Sequence, residues 1–89
     1  MNDESLIQSL LPAVDQQLES PQTPYVKSTF NRLVEQQQLA PDQARELIAI
    51  CLADESNRMY IDKRDFDVVR YQQLLEALPG DLLDELSER

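Results

Sequence analysis

The chain has 89 residues, with 17 acidic and 8 basic side chains, no histidine, one cysteine and one glycine, for a formal net charge of −9. That length suits one helical domain over residues 1–89, with a modest core, and is too short for two. The charge opposes direct binding to nucleic-acid phosphates or to anionic membranes. The lone Cys51 excludes an intrachain disulfide, and the lack of histidine removes the commonest general base and zinc ligand.

Leu, Gln, Glu and Ala are abundant, Val and Ile are few, and the five prolines fall at or near places where helices would start or stop, which is a helix-forming composition. The first helix is predicted over 3–19, where Leu6, Ile7, Leu10, Leu11, Val14 and Leu18 recur at helical spacing, with Asn2 or Asp3 as its cap. Pro12 lies inside this pattern. It cannot donate to the Gln8 carbonyl, so a kink near Ser9–Leu11 is expected, or a break into two short helices. Ser20 to Pro24 is a linker in which Thr23 would cap and Pro24 would open a second helix over 24–37. Val26, Phe30, Leu33 and Val34 form its apolar face.

Pro41 opens the third and most apolar helix, predicted over 41–61. Leu47, Ile48, Ile50, Cys51 and Leu52 cover more than half of its circumference, which marks it as the central helix of a bundle. Asp67 then caps a fourth helix over 68–78, with Phe66 placed to staple against Tyr71 across the cap. Val68, Tyr71, Leu74, Leu75 and Leu78 share its inner arc, and Pro79-Gly80 ends it. Leu82, Leu83 and Leu86 alternate with acids in a short C-terminal helix over 82–87. The fold class expected is therefore all-α, an up-and-down bundle of four helices with a short fifth piece.

Glu55 is the residue that stands out. On the wheel of the third helix it falls in mid-stripe, between Cys51 and Met59. A carboxylate there is either a metal ligand or raised-pKa group, or one paired with Arg58, Arg70 or a helix N-terminus. Pairing is the expected outcome, because buried carboxylates are usually held that way. Asp62, Asp65 and Asp67 cluster without the glycine and terminal glutamate of a calcium loop, so capping explains them better. Cys51 sits among aliphatic residues as a small core side chain. Ser9, Ser20, Ser28 and Thr29 have no histidine to activate them. No catalytic, cofactor or metal residue is assigned.

The charge is unevenly spread: −4 over residues 1–22, +1 over 23–40, −3 over 41–56, +1 over 57–70 and −4 over 71–89. Arg58, Lys63, Arg64 and Arg70, with Tyr60 among them, form the one basic cluster. They either neutralise nearby acids or meet a partner. Arg58, Tyr60, Lys63 and Arg64, with Leu82, Leu83 and Leu86, make up the candidate partner surface, and the acidic tail would either fold back or lie in a partner's groove.

The run LAPDQARELIAICLADE, followed by FDVVRYQQLLEALP, resembles a family of short acidic all-helical bacterial proteins of uncharacterised function. The likeness rests on the proline-started central helix, the Phe66-Asp67 staple and cap, and Tyr71 to Pro79. It implies a bacterial cytoplasmic protein and carries no activity. An acidic MNDES start without a basic region, and no apolar run near the roughly 20 residues of a membrane span, agree with a cytoplasmic setting. The function expected is a small non-catalytic protein–protein interaction or regulatory module, with a homodimer among its forms. An acidic mimic of nucleic acid, binding a basic protein, is the alternative, and a metal or enzyme site centred on Glu55 is the second.

Overall fold

The computed structural model describes residues 3–78. Four α-helices occupy them: α1 (Asp3–Glu19), α2 (Pro24–Glu35), α3 (Pro41–Asp62) and α4 (Val68–Glu76). There is no strand among the described residues. The expected all-α arrangement of four helices is what forms. The predicted helix over 82–87 lies outside the described residues, as do the candidate surface leucines Leu82, Leu83 and Leu86.

α3 packs against all three other helices, most extensively against α1. Leu47, Ile48 and Ala49 have no exposed surface, and neither do Val14 of α1, Val26 and Leu33 of α2 or Tyr71 of α4. Side chains on nearly every side of mid-α3 are thus covered, as its sequence requires. Fully burying an aliphatic side chain contributes roughly 1.5–3 kcal/mol, so this layer supplies most of the cohesion.

α1 runs through Pro12 as one helix of 17 residues, so no break into two helices occurs. Pro12 is on the exposed side, where water can serve the Gln8 carbonyl that the ring leaves without a donor. Pro24 and Pro41 each occupy the first turn of their helices, as expected. Thr23 does not cap α2 with its side chain. Its hydroxyl donates instead to the Gln17 carbonyl at 2.8 Å, closing the end of α1. At the start of α3 the Ala40 amide donates to Gln43 Oε1 at 3.2 Å.

Two helices end in left-handed residues that are not glycine. Gln38 (φ 57°) follows α2, which stops at Glu35 rather than 37. Lys63 (φ 54°) follows α3, and the Arg64 amide then donates back to the Met59 carbonyl at 3.1 Å. That is a Schellman closure, a standard helix stop that glycine normally fills. α4 stops at Glu76, two residues before its expected end. Arg32 of α2 reaches across to it and donates to the carbonyls of Leu75, Glu76 and Leu78 at 2.9, 3.3 and 3.0 Å. The Glu76 carbonyl is one that a helix end leaves unserved, and the Leu75 carbonyl also accepts from the Leu78 amide at 3.2 Å.

Polar side-chain contacts also join α1 to α3 and α1 to α4. Arg45 of α3 makes a two-pronged contact with Asp15 of α1, at 2.9 and 2.8 Å. The Tyr71 hydroxyl of α4 donates to Gln17 Oε1 of α1 at 2.7 Å. The Tyr71 ring stands edge-on to Tyr25 and Phe66, with centroids 6.1 and 5.4 Å away.

Two substitutions probe these backbone features. Lys63→Gly should raise the unfolding free energy by about 1 kcal/mol, because glycine carries no steric penalty at positive φ. Pro12→Ala should raise it by about 2 kcal/mol by restoring the missing helical hydrogen bond. Urea unfolding midpoints measure both, and a fall in either would show that the local geometry is not as described.

Candidate functional site at the α3–α4 junction

Glu55 lies one helical turn beyond Cys51 on the inward face of α3, and its side chain has no exposed surface. A carboxylate without water must draw its partners from the protein. Both of its oxygens do so twice. Oε1 accepts from Arg64 Nη2 at 3.2 Å and from Arg70 Nη1 at 2.8 Å. Oε2 accepts from Arg64 Nη1 at 2.7 Å and from the Asp67 backbone amide at 2.8 Å. A carboxylate has about four lone-pair directions, and all are used here.

Each donor is placed by local sequence. Asp67 caps α4, its side chain accepting from the Arg70 amide at 3.1 Å, so its own amide is free to turn to Glu55. Arg70 lies in the first turn of α4 and also donates to Asp54 at 2.6 Å. Arg64 follows the left-handed Lys63, which reverses the chain and sends the guanidinium back along α3. Its Nε lies 3.5 Å from Asp62.

The guanidinium of Arg64, the Asp67 amide and Arg70 hold the Glu55 carboxyl well below its ordinary 4.5, at about 2, against the opposing effect of burial. The group is therefore a permanent anion at neutral pH, the reverse of a raised-pKa acid. Pairing with Arg70 and with a helix N-terminus is as expected from the sequence. Arg58, also considered as a partner, is exposed and takes no part. Arg64 does, and sequence reasoning placed it only in the surface cluster. Burial pushes the Cys51 thiol up to about 12, with Asp54 adding to the shift, so it is no thiolate nucleophile at neutral pH.

Beside this clasp the end of the bundle is apolar and open. Tyr60 is 83% exposed, Val69 64% and Ile61 56%. Val68, expected on the inner arc of α4, is 44% exposed in the first turn of that helix. Met59, Tyr60, Ile61, Lys63 and Arg64 line a hollow of about 570 Å³. Of the candidate surface residues, the structure thus brings Tyr60, Lys63 and Arg64 together, with Arg64 already committed to Glu55. Arg58 stands three residues before Ile61, on the same face of α3. Ile61 and Val69 were not singled out from the sequence, although Val69 falls off the inner arc of α4.

A hollow of about 610 Å³ at the α1–α2 turn has only Glu19 and Lys27 as charged lining groups. Among the described residues no three His, Cys, Asp or Glu side chains are grouped to hold a metal ion, and no helix is long and apolar enough to cross a membrane. The chain matches no protein-family model, no curated protein and no solved structure.

Glu55→Gln should lower stability at neutral pH by about 2–3 kcal/mol, because two guanidinium groups lose their anion. The pH dependence follows from the lowered folded-state value. The contribution of Glu55 is complete above pH 4.5 and is lost as pH falls toward 2. The gap between wild-type and variant unfolding midpoints should therefore close over that window. A gap independent of pH would contradict the assignment.

Proposed function

We propose that the chain is a small non-catalytic protein–protein interaction module whose contact surface is the open end of α3 and the first turn of α4. The observation that carries this reading is the exposure of Tyr60 and Ile61 at a hollow at the end of α3, with Val69 exposed on the first turn of α4, where the other large apolar groups among the described residues are mostly covered. Clustered exposed apolar groups of this kind mark interaction sites more often than scattered ones do. Aromatic anchors such as Tyr60 are common at the centre of binding surfaces. The Glu55 clasp supports the reading by fixing the angle between the two helices that form the surface. The candidate leucines Leu82, Leu83 and Leu86 belong to the same reading, as does a bacterial cytoplasmic setting.

The alternative of an acidic nucleic-acid mimic draws less support. Asp15 and Asp42 are matched by Arg45, and Asp54, Glu55 and Asp62 by Arg70 and Arg64, rather than displayed as free anions. A metal or catalytic role for Glu55 has to compete with four hydrogen bonds already made to its carboxylate.

The test is affinity capture from the native host with the wild-type chain and with Tyr60→Ser/Ile61→Ser. A protein retained by the wild type and lost by the variant, with thermal unfolding unchanged, is the expected result. Identical retention by both would overturn the proposal.

A further inference from the structure

The hollow at the end of α3 is lined by five residues: Met59, Tyr60, Ile61, Lys63 and Arg64. None of them is acidic, in a chain whose acids outnumber its bases 17 to 8. Tyr60 and Ile61 are more than half exposed, and Met59 is half-buried. The two cations differ in what they have left to offer. Arg64 is committed to Glu55 and to the Asp65 carbonyl, and Asp62 lies 3.5 Å from its Nε. Lys63 is exposed and in no ion pair among the described residues. The Tyr60 hydroxyl has no hydrogen-bond partner among them either.

Lys63 stands at the C-cap of α3. A helix C-terminus carries about half a negative charge, which one ammonium group more than offsets. The hollow therefore combines apolar contact, an uncompensated positive charge and two unused donors, Lys63 Nζ and the Tyr60 hydroxyl. A volume of about 570 Å³ takes a side chain or two rather than a whole protein face. The net charge of −9 does not forbid an acidic occupant. Fields are screened beyond about 8 Å at physiological salt, so a carboxylate seated here responds to Lys63 more than to distant acids.

We propose that this hollow receives an acidic peptide segment of a partner protein, with an apolar side chain against Met59, Tyr60 and Ile61 and a neighbouring carboxylate on Lys63. This rests on the reading of the end of α3 as a contact surface and names the chemistry of what it contacts.

The experiment is selection from a random peptide library displayed on phage, with the full chain as bait, followed by titration of the most enriched peptide. Enriched peptides should carry Asp or Glu close to Leu, Phe or another large apolar residue. Tyr60→Ser/Ile61→Ser should abolish their binding. Lys63→Gln should weaken it by roughly threefold and flatten its dependence on salt. Glutamine already adopts the same left-handed geometry at Gln38, so this variant keeps the turn. No enrichment, enrichment without acids, or binding indifferent to Lys63→Gln overturns the proposal. A concentration-dependent increase in mass that Tyr60→Ser/Ile61→Ser removes overturns it in favour of a second copy. Host capture that depends on Tyr60 and Ile61, with no acidic preference among the peptides, overturns the proposal and leaves the module reading standing. Host capture indifferent to those residues, with acidic peptides bound through Lys63, overturns the module reading and leaves the preference of the hollow standing.

Discussion

Removing a carboxylate from water costs several kcal/mol unless the protein replaces every hydrogen bond that water made. Glu55 meets that condition with two guanidinium groups and one backbone amide. The consequence is geometric. Arg64 can reach only if α3 stops at Lys63 and the chain turns back, and the Asp67 amide is available only if α4 starts where it does. One buried anion therefore fixes the end of one helix, the path of the connection and the start of the next. Phe66 adds an apolar hold on the same connection through its ring contact with Tyr71.

A similar division of roles runs through the rest of the bundle. α3 supplies the apolar surface on which the other helices pack, and each neighbour is then oriented by one polar contact: Arg45 with Asp15, Tyr71 with Gln17, Arg32 with the end of α4. The side chains of Arg45, Arg64 and Arg70 are about 30% exposed, so they keep some hydration while their partners give direction. Pairs between partly exposed groups, such as Arg45 with Asp15, contribute little individually. Their role is to select one packing among those the apolar groups would allow.

Much of this was legible in the residues. The period of the apolar positions located all four helices, and prolines 24 and 41 marked two starts. Asp67 and Phe66 announced the cap and staple, and the place of Glu55 within an apolar stripe flagged it as a buried anion. What was not legible has a physical cause in each case. Gln38 and Lys63 adopt left-handed conformations that sequence would lead one to expect of glycine, so the reversals after α2 and α3 carried no signal, although α3 ends at Asp62, one residue past its expected end. Arg64 is directed to Glu55 by that same unannounced turn. Thr23 looks like a cap, but its hydroxyl is taken by the preceding helix. Pro12 looks like a break, but it faces solvent, where water can stand in for its lost hydrogen bond.

The Glu55 carboxylate is saturated with hydrogen bonds, and these join the end of α3 to the start of α4 beside the proposed contact surface. The most direct test is the carboxyl-carbon titration of Glu55 followed by NMR in the intact protein. A clasped carboxylate predicts a midpoint near 2, with the signal unchanged through pH 4.5. A midpoint at the ordinary 4.5 would mean that the arginines and the Asp67 amide do not hold the group, and the central claim would fall.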